Sequence, residues 1–163
     1  RPDAIGILGH SAGGHLAGFT ALQPSRNFYD GADRYEAVSA RPDFTALLFP
    51  VVSMRKPFDT TRTRKEIIGE NATRAAENAW SLDTYAAKDA PPTILFSSAD
   101  DPTTPPGHNI ALFEALNRAG ASVEMHIFAA GGHGWGLGTP DQTLSQWPEL
   151  FATWLDTQMT EKK

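Results

Sequence analysis

The chain has 163 residues, enough to enclose one sizeable core and few enough to expect a single domain over 1–163. Its 14 Lys and Arg against 19 Asp and Glu leave a net charge of -5 with no basic cluster, which argues against a nucleic-acid partner or an anionic membrane surface. It has no cysteine, which excludes disulfides, thiolate metal sites and a cysteine nucleophile, and no apolar run has the length of a membrane span.

Ala4 to Leu8 is a continuous apolar run, the pattern of a parallel strand buried on both faces. It runs into Gly9-His10-Ser11-Ala12-Gly13-Gly14, which fits G-x-S-x-G, the turn that carries a nucleophilic serine from a strand into a helix. The serine backbone in such a turn is strained, and side chains two residues to either side are expected to collide with the neighbouring strand and helix. The amide of Ala12 is then expected to point where an oxyanion forms. The competing reading of this stretch is a glycine-rich helix start that binds phosphate or merely turns the chain. Small and apolar residues from Ala12 to Leu22 continue as a helix.

Gln23 to Pro42 is polar and broken by Pro24, Gly31 and Pro42; it reads as loop with room for one helical turn. Phe44 to Phe49 is a second buried strand. From Ser53 to Pro92 comes a long charged excursion, placed where a lid or a substrate-facing wall inserts between strands, with short helices expected over Lys65 to Ile68 and Thr73 to Trp80. Asn71-Ala72-Thr73 matches an N-glycosylation acceptor, a pattern too short to carry weight. Thr93 to Phe96 is the third strand, and Asn109 to Ala119 a helix that Gly120 stops. Val123 to Phe128 is the fourth strand. The closing helix spaces Trp147, Leu150, Phe151, Trp154 and Leu155 along one face, with Pro148 in its first turn. Alternating strands and helices imply an α/β fold with a parallel sheet covered on both faces.

A serine hydroxyl needs a base to take its proton and a third group to fix that base. In this architecture the partners sit in loops after later strands, in the order serine, acid, histidine. The loop after the third strand offers Asp100 and Asp101. The loop after the fourth offers His133, set among Gly131, Gly132, Gly134 and Gly136, where a histidine has little packing purpose. His126 reads as a partly buried strand residue, His108 as a solvated helix start, and His15 as a packing or hydrogen-bonding residue. His10, beside the serine, is a candidate for the substrate wall, as is Trp135 beside the histidine.

Four stretches together resemble the α/β-hydrolase esterase/lipase family, nearest to its acetyl-esterase and acetylxylan-esterase-like members. They are residues 9–17, Ser39-Ala40-Arg41-Pro42-Asp43-Phe44, Asp101-Pro102-Thr103-Thr104-Pro105 and Gly131-Gly132-His133-Gly134. The resemblance selects Asp101 over Asp100, as the aspartate of a D-x-x-V-P run in which Thr104 replaces valine. The closing G-G-H-G-F-G run is matched with Trp135 in place of phenylalanine. It implies a serine carboxylic-ester hydrolase with Ser11 as nucleophile, His133 as base, Asp101 as acid and the Ala12 amide as an oxyanion donor. No metal or organic cofactor is implied, and the expected substrate is a small-molecule or carbohydrate ester. A serine peptidase of the prolyl-oligopeptidase kind shares this fold and residue order, and an inert fragment or interaction module on the same scaffold is a third reading.

The resemblance also implies a segment before the nucleophile strand that carries a glycine-rich H-G-G run and the other oxyanion amides. The expectation is therefore the half of an α/β-hydrolase domain from the nucleophile strand onward, its amino-terminal part missing, with Ala4 to Leu8 as an exposed apolar edge. Export, assembly and the preferred acyl group are not written in these residues.

Overall fold

The computed structural model describes residues 4–27 and 38–161. One parallel sheet runs in the order β1 (Gly6–His10), β2 (Phe44–Leu48), β3 (Thr93–Ser98), β4 (Val123–Phe128). The helices are α1 (Ser11–Leu22), α2 (Arg62–Ile68), α3 (Arg74–Ala79), α4 (Gly107–Ala119) and α5 (Trp147–Glu161), with short 3-10 turns at Leu82–Tyr85 and Thr143–Gln146.

Side chains alternate across the two central strands because the strand period is two. Leu47 and Leu95 face α1 and α4, where they meet Ala17, Phe19, Leu112 and Leu116. Ala46, Leu48, Ile94 and Phe96 face the other way and meet Trp154 of α5. Both faces of β2 and β3 are thus apolar, which is why those runs lack polar alternation. Among the described residues β1 forms one edge of the sheet, with Ile5 62% and Leu8 47% exposed.

The strand entering the serine turn lies two residues later than its apolar pattern predicts. Asp43 holds the chain ahead of the ladder: its amide donates to the Ile5 carbonyl at 2.7 Å and its Oδ2 accepts from the Ile5 amide at 2.9 Å. Pairing then runs from Gly6 opposite Phe44 to His10 opposite Leu48, so Gly9 and His10 are strand residues and the turn falls on Ser11 itself. Both expected helices are present, though α2 starts at Arg62 rather than Lys65; the hydroxyls of Thr61 and Thr73 accept from the amides of Arg64 and Ala76 as their caps. Gly120 ends α4 with φ +81°. The stretch 28–37, where a helical turn had room, lies outside the described residues.

The excursion from Ser53 to Pro92 is rooted in the core. Met54 and Leu82 are fully buried, and Leu82 packs between α1 and the sheet. The guanidinium of buried Arg64 donates to Oε1 of half-buried Glu77 at 3.0 Å and to the Met54 carbonyl at 3.0 Å, which ties α2 to α3 and to the chain leaving β2.

Candidate active site

Ser11 sits at the carboxyl end of β1 with φ +54°, a left-handed conformation for a non-glycine residue. The turn is this tight because Gly9 lies against the helix it feeds: a Cβ there would come within 2.3 Å of the Gly13 carbonyl oxygen and 2.8 Å of the Ala17 Cβ. Gly13 does not share that constraint, contrary to the expectation for both flanking glycines. A Cβ on it would meet nothing within 4 Å among the described residues, and the close approach falls instead on Gly14, against Pro50. Ala12 lies in the first turn of α1, where amides have no partner within the helix.

The post-strand loops converge on this turn. Ser11 Oγ lies 2.9 Å from His133 Nε2, and His133 Nδ1 lies 2.8 Å from Asp101 Oδ2. The Asp101 carboxylate is fully buried. Its Oδ1 accepts from the amides of Thr103 and Thr104 at 2.8 and 2.9 Å, so the charge is carried by oriented donors rather than water. Gly132 and Gly134, with φ of +62° and +74°, let the loop bend on both sides of His133, which answers why the histidine is set among glycines.

Asp100 takes a different place. Its Oδ1 accepts from the Gly132 amide at 2.8 Å, and that bond holds its carboxyl below the usual carboxylate range. It braces the histidine loop from an exposed position while Asp101 meets the ring.

The wall candidates divide. His10 is exposed and lines a cavity of about 290 Å³ with Leu8, Leu48, Phe49, Gly134, Gly136, Leu137 and Trp147. Trp135 is half-buried and packs edge-on against Phe49 at 4.6 Å and against Phe128 at 6.2 Å. Ser11 and Ala12 open onto a larger cavity of about 570 Å³, whose wall includes Leu16, Phe19, Val51, Ile67 and Trp80. Trp135 lines neither of these two cavities.

Two features escape the sequence pattern. Phe49, just past β2, has φ +38° and sets its ring edge-on to His133 at 4.8 Å. No local signal marks it, since only the meeting of β2 with the histidine loop gives it that position. His108 is the second, and it corrects the expectation of a solvated residue. Helix α4 begins at Gly107, one residue before it, and the ring turns inward against Phe58 at 4.7 Å with 1% exposure.

His108 Nδ1 accepts from the amides of Val52 and Ser53 at 3.1 and 3.3 Å, which places its proton on Nε2. His15, buried as a packing residue, donates from Nδ1 to the Val51 carbonyl at 3.0 Å. The two rings clamp residues 51–53, and the Val51 amide in turn donates to the Ser11 carbonyl at 3.3 Å. Burial lowers both histidines from near 6.5 to about 4. Each therefore folds neutral, and the unfolded chain binds the extra protons. Stability is full above pH 6.5 and falls as the pH drops toward 4, by on the order of 3 kcal/mol for either ring. Thermal melts between pH 7.5 and 4 should show that loss, and His108→Gln should remove the share due to that ring while the share of His15 remains.

Residues 1–162 match the prolyl oligopeptidase family. The chain belongs to that family. Its fold is the α/β-hydrolase fold, seen here as a four-stranded parallel sheet with helices on both faces. This prolyl oligopeptidase family chain is 28% identical over 160 residues to an acetylxylan esterase of Xylanibacter ruminicola, covering 95% of itself and 31% of that protein. The acetyl ester-xyloside bifunctional hydrolase of Caldicellulosiruptor lactoaceticus superposes with a TM-score of 0.84 and 31% identity, over 96% of this chain and 57% of that one. The thermophilic esterase Est2 of Thermogutta terrifontis, bound to propionate, gives 0.73 and 26%, over 96% and 56%. The chain thus spans about a third of that curated relative and just over half of these solved structures. No helix among the described residues is long and apolar enough to cross a membrane.

Proposed function

We propose that the protein is a serine carboxylic-ester hydrolase of the acetyl-esterase or acetylxylan-esterase-like kind, working through an acyl-enzyme. The observation that carries this reading is the unbroken chain of contacts from Ser11 Oγ through His133 to the buried Asp101 carboxylate, built across three loops. Ser11 Oγ attacks the ester carbonyl while His133 Nε2 takes its proton. The Ala12 amide holds the oxyanion, and the tetrahedral intermediate collapses as His133 returns the proton to the leaving alcohol. Water then attacks the acyl-serine by the same route in reverse. Asp101 fixes the imidazole and stabilises its charged form. These steps call on no metal or organic cofactor.

The substrate is an ester of a small alcohol or a sugar. The larger cavity takes its apolar portion, and α2 with Trp80, from the excursion over 53–92, forms the wall that faces it. Similarity to an acetylxylan esterase, an acetyl ester-xyloside bifunctional hydrolase and an esterase supports the ester class. Family membership supports a second reading, a serine peptidase. Measuring kcat/KM on p-nitrophenyl acetate against a peptide p-nitroanilide separates them. Preference for the acetate by several powers of ten is the expected result; turnover of the anilide alone would overturn the ester assignment.

A further inference from the structure

Thr104 stands where the resembling motif carries valine, and it is 1% exposed. Its Oγ1 lies 3.0 Å from Asp101 Oδ2, 3.0 Å from the Phe49 carbonyl oxygen and 3.2 Å from His133 Nδ1. A valine side chain fills the same space and makes none of these contacts. The hydroxyl has one proton and must choose between a carboxylate and a carbonyl as acceptor. A hydrogen bond to an ionised acceptor is roughly twice as strong as one between neutral groups. The same oxygen then offers a lone pair toward His133 Nδ1–H, which already donates to Asp101.

We propose that Thr104 is a positioning residue for the acid–base pair, its hydroxyl donating to Asp101 Oδ2 and so weakening the hold of the carboxylate on the protonated ring of His133. With this donor, Oδ2 shares its charge between the hydroxyl and the ring, while the Thr103 and Thr104 amides occupy Oδ1. Without it, the charge on Oδ2 is answered by His133 alone, and the imidazole keeps its proton to higher pH. The oxygen also meets the carbonyl of Phe49, whose left-handed backbone sets its ring against His133, so one side chain touches the acid, the base and the residue that backs the base.

The inference rests on the reading of Ser11, His133 and Asp101 as nucleophile, base and acid, and the two are tested separately. The ring proton of His133, assigned by its loss in His133→Gln, is titrated by NMR in wild type, Thr104→Val, Thr104→Ala and Thr104→Ser. The rate of Ser11 labelling by a fluorophosphonate is followed over the same pH range. Expected are midpoints higher by on the order of half a pH unit in the valine and alanine variants, a wild-type midpoint in the serine variant, and labelling whose acidic limb moves up with the midpoint. An unchanged midpoint, with labelling slowed equally at every pH, would reduce Thr104 to a structural anchor for Phe49. A lower midpoint would mean that the proton goes to Phe49 and the oxygen only accepts from the ring. Either result overturns the proposal. Absence of labelling in the wild type, with the midpoints shifted as expected, overturns the hydrolase reading and leaves the hydroxyl's contact with Asp101 standing.

Discussion

Replacing Ser11 with alanine is expected to reduce ester turnover by about 10⁶-fold, the loss found when the nucleophile of such a set is removed. Alanine supplies no oxygen to attack the carbonyl, and His133 Nε2 loses the partner that lies 2.9 Å away. The strained turn is not relieved, because alanine at φ +54° carries the same Cβ cost as serine. Melting temperature should therefore change little while the initial rate on p-nitrophenyl acetate falls to background. Undiminished turnover in the variant would remove Ser11 from the mechanism.

The second large effect is at the acid. Asp101→Asn is expected to lower turnover by about 10⁴-fold, the size of loss seen when an asparagine leaves the histidine in the wrong tautomer. The structure gives the reason at atomic detail. Both Asp101 oxygens only accept, two amides on Oδ1 and His133 with Thr104 on Oδ2. An asparagine amide must turn its NH₂ toward one of those pairs of donors. Facing the ring, it forces the Nδ1 proton onto Nε2, where it blocks proton transfer from Ser11. Asp100→Asn makes the comparison, since its carbonyl oxygen still accepts from the Gly132 amide and turnover should fall less than tenfold. Equal losses in the two variants would remove the distinction between adjacent aspartates.

That distinction shows where a sequence stops speaking. Nothing in the spacing of Asp100 and Asp101 separates them; motif resemblance favoured Asp101, and the geometry places its carboxylate beneath His133 while Asp100 braces the loop outside. The serine turn and the histidine loop were legible because their glycines answer to local geometry, a close approach at Gly9 and left-handed backbone at Gly132 and Gly134. The buried strands β2 and β3 were legible because burial on two faces writes an unbroken apolar run. Strand β1 was displaced by two residues, since its register depends on Asp43, which lies 38 positions from Ile5. His108 and Phe49 were illegible for the same reason. Their environments are made by segments distant in the chain, Val52 with Ser53 in one case and the loop after β4 in the other.

The most direct measurement is the mass of the intact protein after exposure to a fluorophosphonate, with the adduct located by peptide fragmentation. An activated serine reacts stoichiometrically, and the account predicts one adduct per chain, on Ser11, absent from Ser11→Ala and strongly slowed in His133→Gln. A folded protein that takes up no label, or takes it up on another residue, would contradict the claim that these three loops assemble a nucleophile.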